Sequence, residues 1–168
     1  LMIERRLHRL SRPIGIFAFA WRLLLTTGTG SIFGFLAARE AYDTAVLAPM
    51  FIVMSFAFGL AVFVLLLLLS FRLDRRELDI SHLQRLRRLL GIFIIGILYF
   101  VLLFHVTKLY APQNHAFERF ILLDGGVYSA MFWLVQIGLG SLLPLLLLYA
   151  PGLQQSVSSL VLACALTI

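Results

Sequence analysis

The chain has 168 residues, of which 61% are hydrophobic and only 13% are charged, and its formal net charge is +6. Soluble globular domains are nearer half apolar and a quarter charged, so this composition excludes a soluble domain and predicts a membrane protein. The basic residues flank apolar runs, a pattern that orients helices in membrane lipid, which argues against a nucleic-acid partner.

Apolar runs organise the whole sequence. A helix needs about 20 apolar residues to cross the hydrocarbon core of a bilayer. Four complete runs and part of a fifth are present, so we predict an all-α polytopic transmembrane helix bundle that forms a single membrane domain over residues 1–168. The predicted spans are residues 14–38, 47–71, 89–110, 126–149 and 156–168. The last is only about 20 Å long, so we expect a longer polypeptide with further spans.

Arg22 is the one charged residue well inside the first predicted span. A charge within the bilayer is costly, and it usually marks a functional position. Alternatively, the span starts later in the sequence, and Arg22 reaches the cytoplasmic headgroups beside Trp21 as an interface anchor. The sequence leaves both interpretations open.

Small residues in the first two spans predict close contacts between helices. Gly30 and Gly34 form a GxxxG pair in span 1, and Ser55 and Gly59 form a small-xxx-small pair in span 2. In span 4, Pro144 has no backbone N–H to donate, so we expect the helix to bend there.

Basic residues predict the orientation of the spans. The N-terminal segment and residues 72–88 are rich in arginine, whereas the connectors at 39–46 and 108–125 carry few basic residues. Because basic loops stay in the cytoplasm, we predict that residues 72–88 are cytoplasmic and residues 108–125 periplasmic, in a bacterial inner membrane.

The segment SHLQRLRRLL precedes the third predicted span. It places Leu83, Leu86 and Leu90 on one stripe with arginines around it. This pattern is typical of an amphipathic helix that lies in the membrane interface. We therefore predict a short interfacial helix on the cytoplasmic surface.

The chain offers few ligands for a redox cofactor of its own. His105 is the one histidine inside a predicted span, whereas a b-type haem would need a second axial histidine on a facing helix. Cys164 is the single cysteine, which excludes a cysteine-bound iron–sulfur cluster, a thiolate zinc site and an intrachain disulfide. We therefore predict that any redox centre belongs to a partner.

Polar residues gather near the outer face, where the third span meets the fourth. They are His105, Lys108, Tyr110, His115, Glu118 and Asp124, joined by Tyr42, Asp43 and Thr44 of the other outer connector. Hydrogen-bond donors and proton carriers beside an apolar interior suit a quinone head group, which needs both. A plain polar connector fits the same residues, and Asp124 is well placed to cap the helix that follows it.

Three patterns carry a family resemblance over about residues 25–150. They are T..L.P.F...SF..G.A entering span 2, YF....H.T.LY in span 3, and ERFIL..GG.Y...FW..Q...G...P running into span 4. With these patterns the chain resembles the second half of the NrfD-like polysulfide reductase membrane subunits. That group includes the DsrP and alternative complex III types of membrane subunit.

The resemblance implies a helical subunit of eight to ten spans that binds no haem or iron–sulfur cluster itself. Such a subunit docks onto a periplasmic iron–sulfur protein with four clusters, assembles with other complex subunits, and exchanges electrons with menaquinone or ubiquinone. The implied function is a quinone-interacting membrane subunit of a multi-subunit oxidoreductase. Two other classes remain open, a transporter or channel subunit and a purely structural membrane anchor.

The same resemblance suggests which polar residues serve the quinone. Tyr110, His115 and Glu118 match polar positions in the family's span-connecting motif. We expect Glu118 and His115 to act in proton exchange with the quinone or in docking the iron–sulfur partner, and Tyr110, His105 and Lys108 to bind the quinone. Glu118 lies close to an apolar wall of Phe117, Phe120 and Ile121, so we expect it to be partly desolvated.

Overall fold

A computed structural model describes residues 2–35, 44–74, 80–152 and 156–168. These residues form helices and their connections and contain no strand, which confirms the predicted all-α class. The elements are α1 (Met2–Gly34), α2 (Leu47–Asp74), α3 (Ile80–Tyr110), a 3₁₀ turn (Pro112–Asn114), α4 (His115–Arg119), a π-helical turn π1 (Phe120–Asp124), α5 (Val127–Ala130), a π-helix π2 (Met131–Leu142), α6 (Leu143–Tyr149) and α7 (Val157–Thr167).

Within the described residues, four helical segments are long and apolar enough to cross a membrane. They are Ser11–Gly34, Leu47–Leu73, His82–Tyr110 and Val127–Tyr149, with α5, π2 and α6 together forming the fourth. Each has at least 23 residues, or about 34 Å of helix at about 1.5 Å per residue. This length covers a hydrocarbon core of about 30 Å, so the chain is an integral multi-pass membrane protein.

The main core joins α2, α3, α6 and α7. Leu90 and Ile94 of α3 pack there among small or branched side chains of α2 and α7, and Leu148 comes from α6. Its buried members are Ala61, Val64, Leu68, Leu90, Ile94, Leu148, Leu160, Ala163 and Cys164. Helix packing in a membrane depends on such close contacts, because lipid is as apolar as the side chains.

The predicted contact at the GxxxG pair is confirmed. A Cβ atom on Gly30 would lie 2.7 Å from the Cα of Ala48, and one on Gly34 would lie 2.8 Å from the carbonyl oxygen of Thr44. The two glycines therefore let α1 approach the start of α2. Gly59 behaves differently, since a Cβ there would meet nothing within 4 Å.

The prediction of a separate interfacial helix is wrong. Residues 80–110 form one continuous helix, α3, and Leu83 and Leu86 pack against the main core. Arg87 holds the start of α3 against α7. Its Nη2 donates to the carbonyl oxygen of Ser156 at 2.9 Å and to the Oγ of Ser159 at 2.8 Å. The stripe therefore faces the bundle, and Arg87 anchors the start of α7.

The fourth span changes from a π-helix to an α-helix just before Pro144, the residue at which a bend is predicted. The N–H of Leu143 donates to the carbonyl oxygen of Gly138, five residues earlier, and π2 ends one residue before it. Pro144 follows in the first turn of α6, where its missing N–H is tolerated. π-Helices are rare, and they occur mostly as single turns within α-helices, frequently at functional sites.

Cysteine labelling tests the predicted orientation. In a Cys164→Ala background, Gln113→Cys should react with a membrane-impermeant maleimide in intact cells, because residues 108–125 are predicted to face outward. Gln84→Cys, also at an exposed position, should react only after permeabilisation. The opposite labelling pattern would invert the orientation. Residues 75–79 of the predicted cytoplasmic segment lie outside the described residues.

Candidate functional site

The structure brings His105 of α3 and Glu118 of α4 into direct contact. His105 Nδ1 lies 2.6 Å from Glu118 Oε2, although the two residues are 13 positions apart. The side chain of Glu118 is 0% exposed and that of His105 is 14% exposed. Charged side chains are seldom this deeply buried unless they are paired, so the contact is a specific feature of the fold.

The chain reverses direction tightly after α3, and this turn brings Glu118 of α4 next to His105. The N–H of Ala111 donates to the carbonyl oxygen of Lys108, and the N–H of Asn114 donates to that of Ala111. Pro112 starts the 3₁₀ turn, where its fixed φ is compatible with the helical conformation. The imidazole of His115 donates from Nε2 to the carbonyl oxygen of Leu109 at 2.7 Å, which satisfies one of the last carbonyls of α3.

One proton lies between His105 and Glu118, donated either by Nδ1 of the ring or by the carboxyl group. The second carboxyl oxygen, Glu118 Oε1, is buried and has no hydrogen-bond partner among the described residues. An unpaired buried oxygen costs about 1–3 kcal/mol, and more when it is charged. Such a group is unusual in a folded protein, and it suits a site where a proton or a ligand is exchanged.

An apolar groove of about 470 Å³ lies beside this pair. Its lining residues come from α4 with π1 and from α5 with π2. They are Phe117, Phe120, Ile121, Tyr128, Met131, Phe132, Val135 and Gln136. Phe132 connects the groove to the pair, because its ring centroid is 4.8 Å from that of His105, with the rings 73° apart. Tyr128 and Gln136 add polar atoms to otherwise apolar walls.

Side chains of the fourth span hold π1 in place. Ser129 Oγ donates to the carbonyl oxygen of Phe120 and accepts from the N–H of Gly125, both at 3.1 Å. Trp133 Nε1 donates to the carbonyl oxygen of Leu122 at 3.0 Å. These bonds pair backbone N–H and C=O groups in and next to π1, which in a regular α-helix would pair with each other. They also connect the two walls of the groove.

The other predicted site residues lie around the pair at different depths. Lys108, one turn after His105, is buried at 1% exposure. Tyr110 is 90% exposed and does not line the groove. His115 is exposed. Thr44 is buried near Gly34, while Tyr42 and Asp43 lie outside the described residues.

The expected helix cap at Asp124 is not formed. The residue at the cap position is Gly126, and no side chain caps the helix there. Asp124 Oδ2 instead lies 2.7 Å from Arg119 Nε, in an ion pair whose two side chains are largely exposed. The reason is geometric, because π1 ends at Asp124 and a two-glycine turn separates it from α5. An exposed pair of this kind contributes little stability.

Sequence reasoning missed Phe132, Ser129 and Gly125 as parts of the site. The signal was present in the pattern GG.Y...FW, which places small and aromatic residues one to two turns apart. That spacing does not identify a π-helix, so it could not show which residues face the pair. Among the residues that the structure describes, no group of three His, Cys, Asp or Glu could hold a metal ion.

The chain is similar to known membrane subunits. The family model for "Polysulphide reductase, NrfD" matches residues 1–168. The chain is 30% identical, over 86% of its length and 37% of the relative, to the Hdr-like menaquinol oxidoreductase integral membrane subunit of Archaeoglobus fulgidus.

Two further relatives are reductase subunits by name. A selenate reductase subunit of Mesobacillus selenatarsenatis is 30% identical, over 84% of this chain and 33% of the relative. A putative dimethyl sulfoxide reductase membrane subunit of Halobacterium salinarum is 31% identical, over 83% of this chain and 32% of the relative. The chain thus spans about a third of the length of these relatives. No solved structure matches it at a significant level.

Proposed function

The chain belongs to the NrfD polysulphide reductase family, and from this premise we propose that it forms part of a quinone-interacting membrane subunit of a multi-subunit oxidoreductase. One relative is named a menaquinol oxidoreductase membrane subunit, and two others are named as subunits of reductases. These names support a membrane subunit through which electrons pass between the quinone pool and a partner protein.

The observation that carries the proposal is the buried His105–Glu118 pair beside an aromatic groove. Quinones combine an apolar ring and tail with two polar oxygens, and binding sites for such molecules are mostly apolar with a few placed polar groups. The groove supplies apolar walls through Phe117, Phe120 and Phe132. The pair supplies a buried titratable group behind one of those walls, where the ring of Phe132 packs against that of His105, and such a group can serve the proton exchange of quinone chemistry.

The chain's own residues would move the proton. A quinol that gives up two electrons must also lose two protons, and a carboxylate can accept one of them. Glu118 is the acceptor in this proposal, because its Oε1 has no hydrogen-bond partner among the described residues and can receive a proton. His105 positions the carboxyl through its 2.6 Å contact with Oε2 and can pass a proton onward. Reduction of a quinone would use the same steps in reverse.

The proposal places the partner at the same face of the membrane. His115 and Tyr110 are exposed in this region and do not line the groove, so in this proposal they would contact the partner. A periplasmic iron–sulfur protein docked there would exchange electrons with the quinone at the groove. The subunit would then lie in the cell membrane with residues 108–125 facing outward.

Photolabelling of the full-length complex tests where the quinone binds. A photoreactive azidoquinone in native membranes should label peptides that contain Phe117–Phe120 or Tyr128–Gln136, and excess menaquinone should suppress the labelling. Val135→Trp fills the groove and should reduce labelling about tenfold, since overfilling a site costs about 1–3 kcal/mol. Leu139→Trp, an exposed position on π2 outside the groove, is the matched control. Labelling of other peptides, unaffected by Val135→Trp, would place the quinone elsewhere.

A further inference from the structure

Arg22 lies near the middle of the first membrane-crossing segment. The helix runs from Met2 to Gly34, and its apolar spanning part is Ser11–Gly34. At about 1.5 Å per residue, Arg22 is about 16 Å from Ser11 and about 18 Å from Gly34. This central place in the apolar segment favours the interpretation of Arg22 as a charge within the membrane over that of an anchor at the headgroups.

The length of the side chain does not bring the charge to the membrane surface. Arginine can direct its charged end toward water, but its extended side chain reaches only about 6 Å. The guanidinium group therefore remains several ångströms inside a hydrocarbon core of about 30 Å. A cation at this depth is costly, and in membrane proteins it is almost always paired or faces a protein interior.

The side chain of Arg22 lines a small cleft between α1 and α2. The residues that line this cleft are Phe19, Arg22, Leu23, Thr26, Ile52, Ser55 and Phe56. The rings of Phe19 and Phe56 stack at its edge with their centroids 5.9 Å apart. None of the lining residues is acidic, and Arg22 forms no ion pair with any residue that the structure describes.

Much of the surface of α1 is left uncovered by the part of the chain that the structure describes. Only 6% of the residues in its spanning window are buried in the bundle, compared with 17–22% in the other three spans. Large apolar side chains lie exposed on both sides of Arg22, including Phe17, Trp21, Leu25 and Ile32. A lone cation within such a surface selects for an anionic group at the same depth.

We propose that a transmembrane helix carrying an aspartate or glutamate packs against the α1–α2 cleft and that its carboxylate pairs with Arg22. The depth of Arg22 favours this partner over a phospholipid, whose phosphate lies at the bilayer surface. The uncovered apolar surface of α1 provides the area for helix packing, and Ser55 provides a hydroxyl for the same carboxylate, whereas the hydroxyl of Thr26 donates to the carbonyl oxygen of Arg22. This proposal does not depend on the quinone site proposed beside the His105–Glu118 pair.

Site-specific cross-linking identifies the partner. A photoreactive phenylalanine placed at Thr26, in the full-length protein and its native membrane, should cross-link to a transmembrane peptide that contains Asp or Glu at mid-depth. The matched control is Leu24, which is exposed but lies about 200° around the helix from Arg22. Cross-links from Thr26 to lipid only, or to a helix without a mid-depth carboxylate, would overturn the proposal.

Charge substitution tests the pairing itself. Arg22→Gln should lower the amount of assembled complex about tenfold, because it leaves the partner carboxylate unpaired in the membrane, while Arg22→Lys should retain most of it. Neutralising the cross-linked carboxylate should rescue Arg22→Gln. If Arg22 has no anionic partner, Arg22→Gln should assemble as well as the wild type or better, because removing a charge from a span favours its insertion into the membrane. Equal or greater assembly of Arg22→Gln would therefore contradict the pairing.

Discussion

Glu118→Gln is expected to lower quinone-linked turnover by about 10- to 100-fold, the range typical of losing a group that transfers a proton. Glutamine has nearly the shape of glutamate and can keep a hydrogen bond to His105 Nδ1, but it cannot accept or release the proton. The change therefore separates proton transfer from packing. Turnover should be measured with a soluble quinol analogue in membranes that contain the complete complex.

Matched substitutions show whether the effect belongs to the buried pair. Asp124→Asn removes a carboxylate six residues away that is exposed and paired with Arg119, so it should leave turnover close to wild type. Glu118→Asp retains a titratable carboxyl group and should retain more activity than Glu118→Gln. The complex should still co-purify in each variant, which excludes loss of assembly as the cause.

The pH dependence of turnover provides a second readout. If Glu118 carries a proton, the limb of the pH profile that depends on its ionisation should be absent in Glu118→Gln. Wild-type turnover in this variant at every pH would mean that the polar residues between spans 3 and 4 form only a hydrated connector. The family assignment would stand in that case, and the quinone would bind elsewhere.

The spanning helices were predictable because their signal is strong and local. Runs of about 20 apolar residues bounded by charges leave few alternatives in a bilayer, where every backbone group must be paired internally. The close approach at Gly30 and Gly34 was predictable for a similar reason, since small residues one turn apart allow two helices to touch. Both features depend on residues that are neighbours along one helix.

It was harder to predict that the leucines at the start of α3 face the bundle, because this depends on a helix that is distant in the sequence. Leu83 and Leu86 have the pattern of a surface helix, and nothing nearby shows that α7 returns to pack on them. The hydrogen bonds of Arg87 to Ser156 and Ser159 join residues about 70 positions apart. Tertiary contacts of this range override a local amphipathic pattern.

The candidate site was predictable in composition but not in geometry. The arginine distribution predicts an outer position for His105 and Glu118, yet their pairing depends on the reversal at Pro112 and on the π-helical turn that follows α4. A π-helix has no sequence pattern as clear as that of an α-helix. The helix cap expected at Asp124 failed for this reason. Asp124 is the last residue of π1, and its side chain pairs with Arg119 instead of capping the start of α5.

Gly125→Ala should damage both the stability of the protein and its quinone-linked turnover. A Cβ atom at this position would clash with the carbonyl oxygen of Phe120 and would lie 3.2 Å from Ser129 Oγ. The first contact is with backbone, which cannot rotate away, so π1 must shift and its bonds to Ser129 must lengthen. Such overpacking costs about 1–3 kcal/mol. Glu118 lies two residues before Phe120, and a displacement of about 1 Å near a reacting group can reduce turnover by about 100-fold.

Thermal stability in detergent and turnover in membranes, measured on the same variant, test this coupling. Gly28→Ala is the control, because a Cβ there meets nothing within 4 Å and alanine is about 1 kcal/mol better than glycine within a helix. Ser129→Ala removes both bonds to π1 without a clash, so it should change both measurements in the same direction but less. If Gly125→Ala matched the stability and turnover of Gly28→Ala, then π1 would adapt freely, and its geometry could not be what positions Glu118 against His105.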